Sequence, residues 1–246
     1  MTRSRLATSL VLVVAVVMAT PSWAYREAFT PEQREKLQKI QTVFVDVIAL
    51  TDTGAVDPGP MTQIVASRME KMGYTVVTKS SDPYDAVLKV KCEQSKTWEG
   101  TTRFGSDFDL PDSPSRVWKG PACQFNYLLD GTKILWQKEV RTEFQDSIQA
   151  ATEAGADNPG AYALRQLTER LRSHEYPLLL AAEWGHPDRL IAVLDDPGAH
   201  ELQKLKAISL LGEMLAEEAV PRLKEALKDK DLAQQAAVAL GNVGKE

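Results

Sequence analysis

The sequence predicts an α+β domain, with a mixed sheet and two helices, followed by an all-α solenoid. Two observations carry this prediction. Apolar runs typical of strands recur between residues 43 and 144. From about Tyr176 onward the composition shifts to Ala, Leu, Glu and Lys, which favour helices. We therefore expect an α+β domain over residues 25–174 and helical repeats over residues 175–246.

Residues 1–24 have the three parts of a secretory signal peptide. Arg3 and Arg5 give a basic start, residues 10–19 are an apolar run, and small residues precede a cleavage point after Ala24. The apolar run is shorter than the roughly 20 residues that span a bilayer. We expect cleavage, no membrane span in the mature chain, and a periplasmic or secreted protein. The alternative is an uncleaved membrane anchor.

The elements of the first domain follow from periodicity and turn residues. The β-branched run VFVDVIAL at 43–50 predicts a buried strand, and Asp130-Gly131 between two alternating runs predicts a hairpin. The predicted elements are a polar helix at 31–39, a strand at 43–50, a helix at 61–72, strands at 74–78, 86–93, 122–129 and 133–144, and a helix at 161–172.

The two cysteines are candidates for a disulfide. Strand alternation places Cys92 and Cys123 on the inward faces of their strands. An exported chain with two cysteines in an oxidising compartment favours pairing. We predict a bond between Cys92 and Cys123.

The C-terminal region repeats itself. Residues 207–214, AISLLGEM, align with residues 236–243, AAVALGNV, at an offset of 29 residues, so that Gly212 pairs with Gly241. A single helix pair of this kind cannot bury its apolar face alone, and neighbouring pairs must stack.

Residues 218–229, EAVPRLKEALKD, followed by residues 236–243, resemble the short HEAT repeats first noted in phycobilisome lyases. The resemblance implies an armadillo-like α-solenoid that serves as a docking surface for a protein partner. It does not imply lyase activity, because the repeat occurs in many unrelated proteins. The first domain has a fainter likeness to the N-terminal domains of periplasmic assembly and transport-auxiliary proteins.

The long connection at 95–121 is a candidate partner-binding site. A connection of this length is often functional. It contains four aromatic residues, Trp98, Phe104, Phe108 and Trp118. They either cap the sheet as core or form an aromatic patch for a partner, since aromatics are enriched in interface cores.

The last predicted helix is a second candidate. Its apolar residues spread around most of the cylinder, whereas packing on the preceding helices buries only one side. We expect Val238 and Ala239 to belong to a partner-binding or self-association surface.

Support for catalysis or metal binding is weak. Asp52-Thr53-Gly54 after an apolar strand resembles the aspartic-protease signature, but that family's second element occurs only as Leu210-Leu211-Gly212 inside a repeat helix. The acids of the long connection lack calcium-loop spacing, and the three His residues lack zinc spacing. We expect no catalytic residues, no metal and no cofactor.

The net charge of the whole chain is −5, and it becomes −7 when the first 24 residues are removed. This balance disfavours a nucleic-acid binder, which usually carries a basic excess. The sequence therefore favours an exported, non-enzymatic adaptor or assembly protein of the cell envelope, docking a partner through its repeats. The alternative is a hydrolase or small-ligand carrier with its site in the 51–61 or 95–121 loop.

Overall fold

The computed structural model describes residues 29–100, 116–134, 136–141 and 148–244. The predicted signal peptide, Phe104 and Phe108 lie outside these residues. The strands are β1 (Thr42–Thr51), β2 (Gly54–Val56), β3 (Thr75–Val77), β4 (Ala86–Gly100), β5 (Arg116–Leu129), β6 (Thr132–Lys133) and β7 (Lys138–Arg141). The helices are α1 (Pro31–Gln38), α2 (Gly59–Lys71), α3 (Ile148–Glu153), α4 (Pro159–Ser173), α5 (Tyr176–Trp184), α6 (Pro187–Asp195), α7 (Glu201–Glu213), α8 (Val220–Ala226) and α9 (Ala233–Val243).

The described strands form one mixed sheet. Its order is β2-β1-β4-β5-β6, with β3 beside β1 and β7 beside β5. The strand β1 runs parallel to β3 and β4, and the other pairings are antiparallel. Strands β4 and β5 continue as a two-stranded ribbon beyond the last β1 partner, Glu93.

One face of this sheet carries the larger core. Alternate residues of β1, β4 and β5 are buried against α2, α4 and α5. Phe125 of β5 stacks on Tyr176 at the start of α5, with ring centroids 4.4 Å apart. The β-branched and aromatic residues that predict strands are therefore also the ones that fill the space between sheet and helices.

The Cys92–Cys123 disulfide prediction is confirmed. The two residues are direct register partners on β4 and β5, with an S–S distance of 2.05 Å and a Cα–Cα distance of 3.9 Å. The bond lies at the inner end of the β4–β5 ribbon, just before the ladder shifts between Glu93 and Lys96.

The predicted fold class is wrong in its second half. Over the described residues, the structure has a mixed seven-stranded sheet in the N-terminal half and helices mostly in the C-terminal half, and these helices do not form a solenoid. The physical reason lies in α5, which is apolar on both sides. Tyr176, Leu180 and Trp184 belong to the sheet core, whereas Leu178 and Ala181 belong to the helical core. Helix α5 therefore packs on the sheet and on the following helices at once, so that α5–α9 do not form a stack independent of the sheet.

The number of helices beside the sheet also differs from the prediction. Four described helices, α1 to α4, precede residue 174, whereas the predicted fold class counts two helices with the sheet. Three of the four correspond to the individual helices predicted at 31–39, 61–72 and 161–172, so the unpredicted one is α3, which is only six residues long. So short a helix leaves little hydrophobic periodicity in the sequence.

Among the described residues, the structure contains no helix with the length and apolarity needed to cross a membrane.

Candidate functional site

The β4–β5 ribbon brings two of the predicted aromatic positions together. Trp98 of β4 and Trp118 of β5 are direct partners in the antiparallel register, beyond the shift in the ladder. Their role in partner binding stays a prediction.

The structure separates the two residues predicted on the last helix. Val238 is 52% exposed, whereas Ala239 is 1% exposed and lies in the helical core. The side chain of Ala239 is therefore not available to a partner. The exposed positions of α9 instead include Ala237, Val238 and Gly241.

The burial of Ala239 comes from a close approach between α7 and α9. A Cβ atom placed on Gly212 of α7 would lie 2.7 Å from the Cα atom of Ala239 and 2.8 Å from its Cβ atom. Real Cβ contacts are essentially never this short, so only glycine fits there without a shift of one helix.

Gly241 of α9 has the opposite environment. It pairs with Gly212 at the 29-residue offset, yet a Cβ atom placed on it would meet nothing within 4 Å. In the described part of the chain, the glycine of α7 is therefore covered by another helix, whereas the equivalent glycine of α9 is not.

Residues 51–61, predicted as a loop, contain β2 and the start of α2 and form one wall of a groove. The groove has a volume of about 480 Å³ and runs between this segment and α4. Its lining includes Val56, Met61, Leu164, Asp57 and Arg165.

The charged groups around this groove already have partners within the chain. Asp57 accepts a hydrogen bond from the Gly59 backbone N–H at 2.9 Å, and Arg165 lies over the Tyr162 ring at 5.9 Å. Asp52, in the turn between β1 and β2, accepts a hydrogen bond from the Ser95 hydroxyl at 3.2 Å.

The aspartic-protease geometry is not formed here, because Gly212 of the second sequence element lies buried in α7. Across the described ranges, no group of three or more His, Cys, Asp or Glu residues is placed to hold a metal ion. The hydrolase and carrier alternatives stay predictions.

A polar junction between the sheet and the helices was missed by sequence reasoning. The hydroxyl of Tyr74 lies 2.8 Å from Nδ1 of His186, and Nε2 of His186 lies 3.1 Å from the backbone carbonyl oxygen of Gln38. Tyr74 is 3% exposed and His186 is 4% exposed. The Trp184 indole packs edge-on against the Tyr74 ring, with centroids 5.2 Å apart.

Arg189 of α6 also contacts this junction, on the face of the Tyr74 ring. Its guanidinium carbon lies 4.0 Å from the centroid of the Tyr74 ring, which is within cation–π range. It donates hydrogen bonds to the Met72 carbonyl at 2.9 Å and to the Gln41 side chain. Gly73 has a φ of +84°, and a Cβ atom there would lie 2.5 Å from a guanidinium nitrogen of Arg189.

The geometry of the junction fixes the tautomer of the neutral His186 ring. The Gln38 carbonyl oxygen can only accept a hydrogen bond, so Nε2 of His186 must carry the proton. Nδ1 of the neutral ring is then an acceptor, and it receives the Tyr74 hydroxyl proton. Burial raises the pKa of Tyr74, which keeps that phenol protonated and able to donate.

The only sequence signal for this junction is a histidine before a proline at the start of a helix. Sequence reasoning considered His186 as a zinc ligand alone, because its contacts are with residues more than 100 positions earlier in the chain. Such distant contacts leave no local pattern. The chain matches no protein-family model and no curated protein.

Proposed function

We propose that this protein is an exported, non-enzymatic adaptor of the cell envelope that binds a helix of a protein partner on the exposed face of α9. The observation that carries the proposal is the contrast between Gly212, which is covered by α9, and Gly241, which is open. The signal-peptide pattern at 1–24 and the Cys92–Cys123 bond support the exported location.

The chain itself indicates what kind of partner fits. At Gly212, the occupant is a helix that presents Ala239, a small apolar residue, at close range. By equivalence, Gly241 accepts a helix that presents a small apolar residue in the same way. Val238, which is 52% exposed, adds an apolar contact beside it.

The composition of α9 sets the chemistry of recognition. Its residues, AQQAAVALGNV, include no charged side chain. Binding through this face therefore depends on close packing and apolar burial, which salt does not screen. We expect a partner helix with an uncharged contact face, and an affinity that changes little with ionic strength.

The experiment uses the mature chain and two matched charge substitutions. Val238→Glu places a carboxylate on the proposed docking face, whereas Leu202→Glu places one on α7, where Leu202 is 69% exposed. A partner is first captured from an envelope fraction by cross-linking, and the purified pair is then titrated. We expect Val238→Glu to weaken binding by about ten-fold or more, equivalent to ~1.4 kcal/mol, and Leu202→Glu to leave it nearly unchanged.

Far-UV circular dichroism of both variants verifies that the helices remain folded. Equal affinity of Val238→Glu and wild type would contradict the docking face. A steep fall in affinity with added salt would contradict the recognition chemistry, because it would indicate ionic contacts elsewhere on the surface.

A further inference from the structure

The buried junction connects two parts of the molecule through the hydrogen bonds of one side chain, His186. Tyr74 lies between α2 and β3, and Gln38 ends α1, so both belong to the sheet side. His186 directly precedes α6, on the helical side. The two hydrogen bonds of one imidazole therefore join the start of α6 to two separate elements beside the sheet.

The neutral imidazole gives every polar group of the junction a partner, because Nε2–H donates to the Gln38 carbonyl and Nδ1 accepts the Tyr74 hydroxyl proton. Protonation would turn Nδ1 into a donor, so that it would face the hydroxyl proton of Tyr74. The hydroxyl would have to rotate, and its proton would lose the acceptor that it has in the neutral state. An unpaired polar group in a buried site costs free energy, and a buried charge costs more.

Burial lowers the pKa of His186 below its ordinary value. The groups that act on His186 are Arg189 and Asp188 from its own helix, Tyr74, and the Gln38 and Leu37 backbones of α1. Burial is the main cause, and the positive charge of Arg189 lowers the pKa further. The backbone hydrogen bonds of Gln38 and Leu37 and the charge of Asp188 raise the pKa, but they do not cancel the effect of burial.

We propose that the contact of His186 with Tyr74 and Gln38 is a pH-sensitive latch, which holds α6 against the sheet while the imidazole is neutral and releases it when the imidazole takes up a second proton. The latch does not depend on the proposed docking face, because it lies at the other end of the helical region and uses none of the residues of α9.

The sign of the pH dependence follows from linkage. In the released state, His186 is in water and has its ordinary pKa of 6.5, whereas the pKa in the closed latch is lower. The released state therefore binds more protons at acidic pH. The contribution of the latch is complete above pH 6.5 and is lost progressively as the pH falls towards the lower pKa of the closed state.

The test measures amide hydrogen exchange of the mature chain at about pH 7.5 and about pH 5.5, with exposure times corrected for the intrinsic rate. We expect peptides covering 72–78 and 184–190 to lose protection at the lower pH, by up to about ten-fold for each pH unit below 6.5. Peptides from α7 should keep the same protection at both pH values. Equal protection of the junction peptides at both pH values would overturn the proposal.

Two junction variants separate a latch from a merely structural contact. His186→Gln cannot take up a proton, so the difference between the two pH values should disappear. Tyr74→Phe removes the hydroxyl that stabilises neutral His186, so the closed-state pKa should move back towards the ordinary value, and the difference in protection between the two pH values should become smaller than in wild type. The opposing result is that both variants lose protection by the same factor at the two pH values, with the pH dependence of wild type retained. That result would show that the contact has a structural role only.

His174→Gln is the matched control. Burial also lowers the pKa of His174, but its ring stacks near Tyr176 and lies outside the junction. We expect this variant to retain the full pH response of the junction peptides. If the response is lost in His174→Gln and retained in His186→Gln, the pH dependence comes from His174, and the latch is refuted.

Discussion

The two cores of this molecule are packed in opposite ways. The core beneath the sheet is filled by large side chains, including Phe125, Tyr127 and Trp184, and alanine is rare in it. In the helical core, eight of the fifteen buried residues are alanine, and α7 and α9 approach closely where Gly212 meets Ala239.

This difference in packing determines which kind of substitution each core tolerates. A sheet and a helix layer leave a wide gap that only large side chains fill, so the loss of one creates a cavity. Helices that approach through small residues leave no gap, so the gain of a single methyl group creates a clash. A loss of side-chain volume is therefore the costly change in the sheet core, whereas a gain of volume is the costly change in the helical core.

The largest effect is expected in the sheet core. Phe125→Ala removes a ring that is fully buried and stacked on Tyr176, and it should lower the free energy of unfolding by about 3–5 kcal/mol. Urea unfolding measures this change. Phe44→Ala is the control, because Phe44 stacks on Tyr84 on the partly exposed opposite face. A similar loss in both variants would show that burial under the helices is not what makes Phe125 important.

The next largest effect concerns the disulfide, which only the sheet core has. Replacing Cys92 and Cys123 together by Ala should cost about 3–4 kcal/mol, because the bond closes a loop with a sequence separation of 31 residues. Hydrogen exchange should show the loss first in β4 and β5. Loss of protection in α7 and α9 before those strands would contradict the separation of the two cores.

The smallest effect is expected for alanine substitutions at two glycines that occupy equivalent positions of the sequence repeat. Gly212→Ala should destabilise the chain by about 1–3 kcal/mol, because its methyl group meets the backbone of Ala239. Gly241→Ala should instead stabilise it by up to about 1 kcal/mol, since alanine is the better helix former and the added methyl group meets no atom. Thermal unfolding of the pair measures both. Changes of the same sign would refute the contrast on which the docking proposal depends.

Local features of the fold could be predicted from the sequence. The β-branched run at 43–50 corresponds to β1, the helix predicted at 161–172 corresponds to α4, and the alternating cysteines correspond to the disulfide. Each of these rests on neighbouring residues alone, and a turn or a period in the sequence is sufficient to define it.

The features that the sequence did not predict depend on distant contacts. The helix α5 is apolar on nearly every side, so its periodicity could not show that it faces the sheet and the other helices at once. Val238 and Ala239 are adjacent in sequence, and only the position of α7 decides which of them is buried. His186 likewise acquires its role from Tyr74 and Gln38.

The position of α5 also determines the order in which the chain can fold during its synthesis. The sheet face around Phe125 and Tyr127 stays uncovered until Tyr176 and Trp184 have left the ribosome. The closing contact between Tyr74 and His186 spans 112 residues, and contacts over such separations form slowly. A nascent chain at this stage exposes apolar surface and strand edges that aggregate readily. We therefore expect the growing polypeptide to depend on a holding chaperone during this interval.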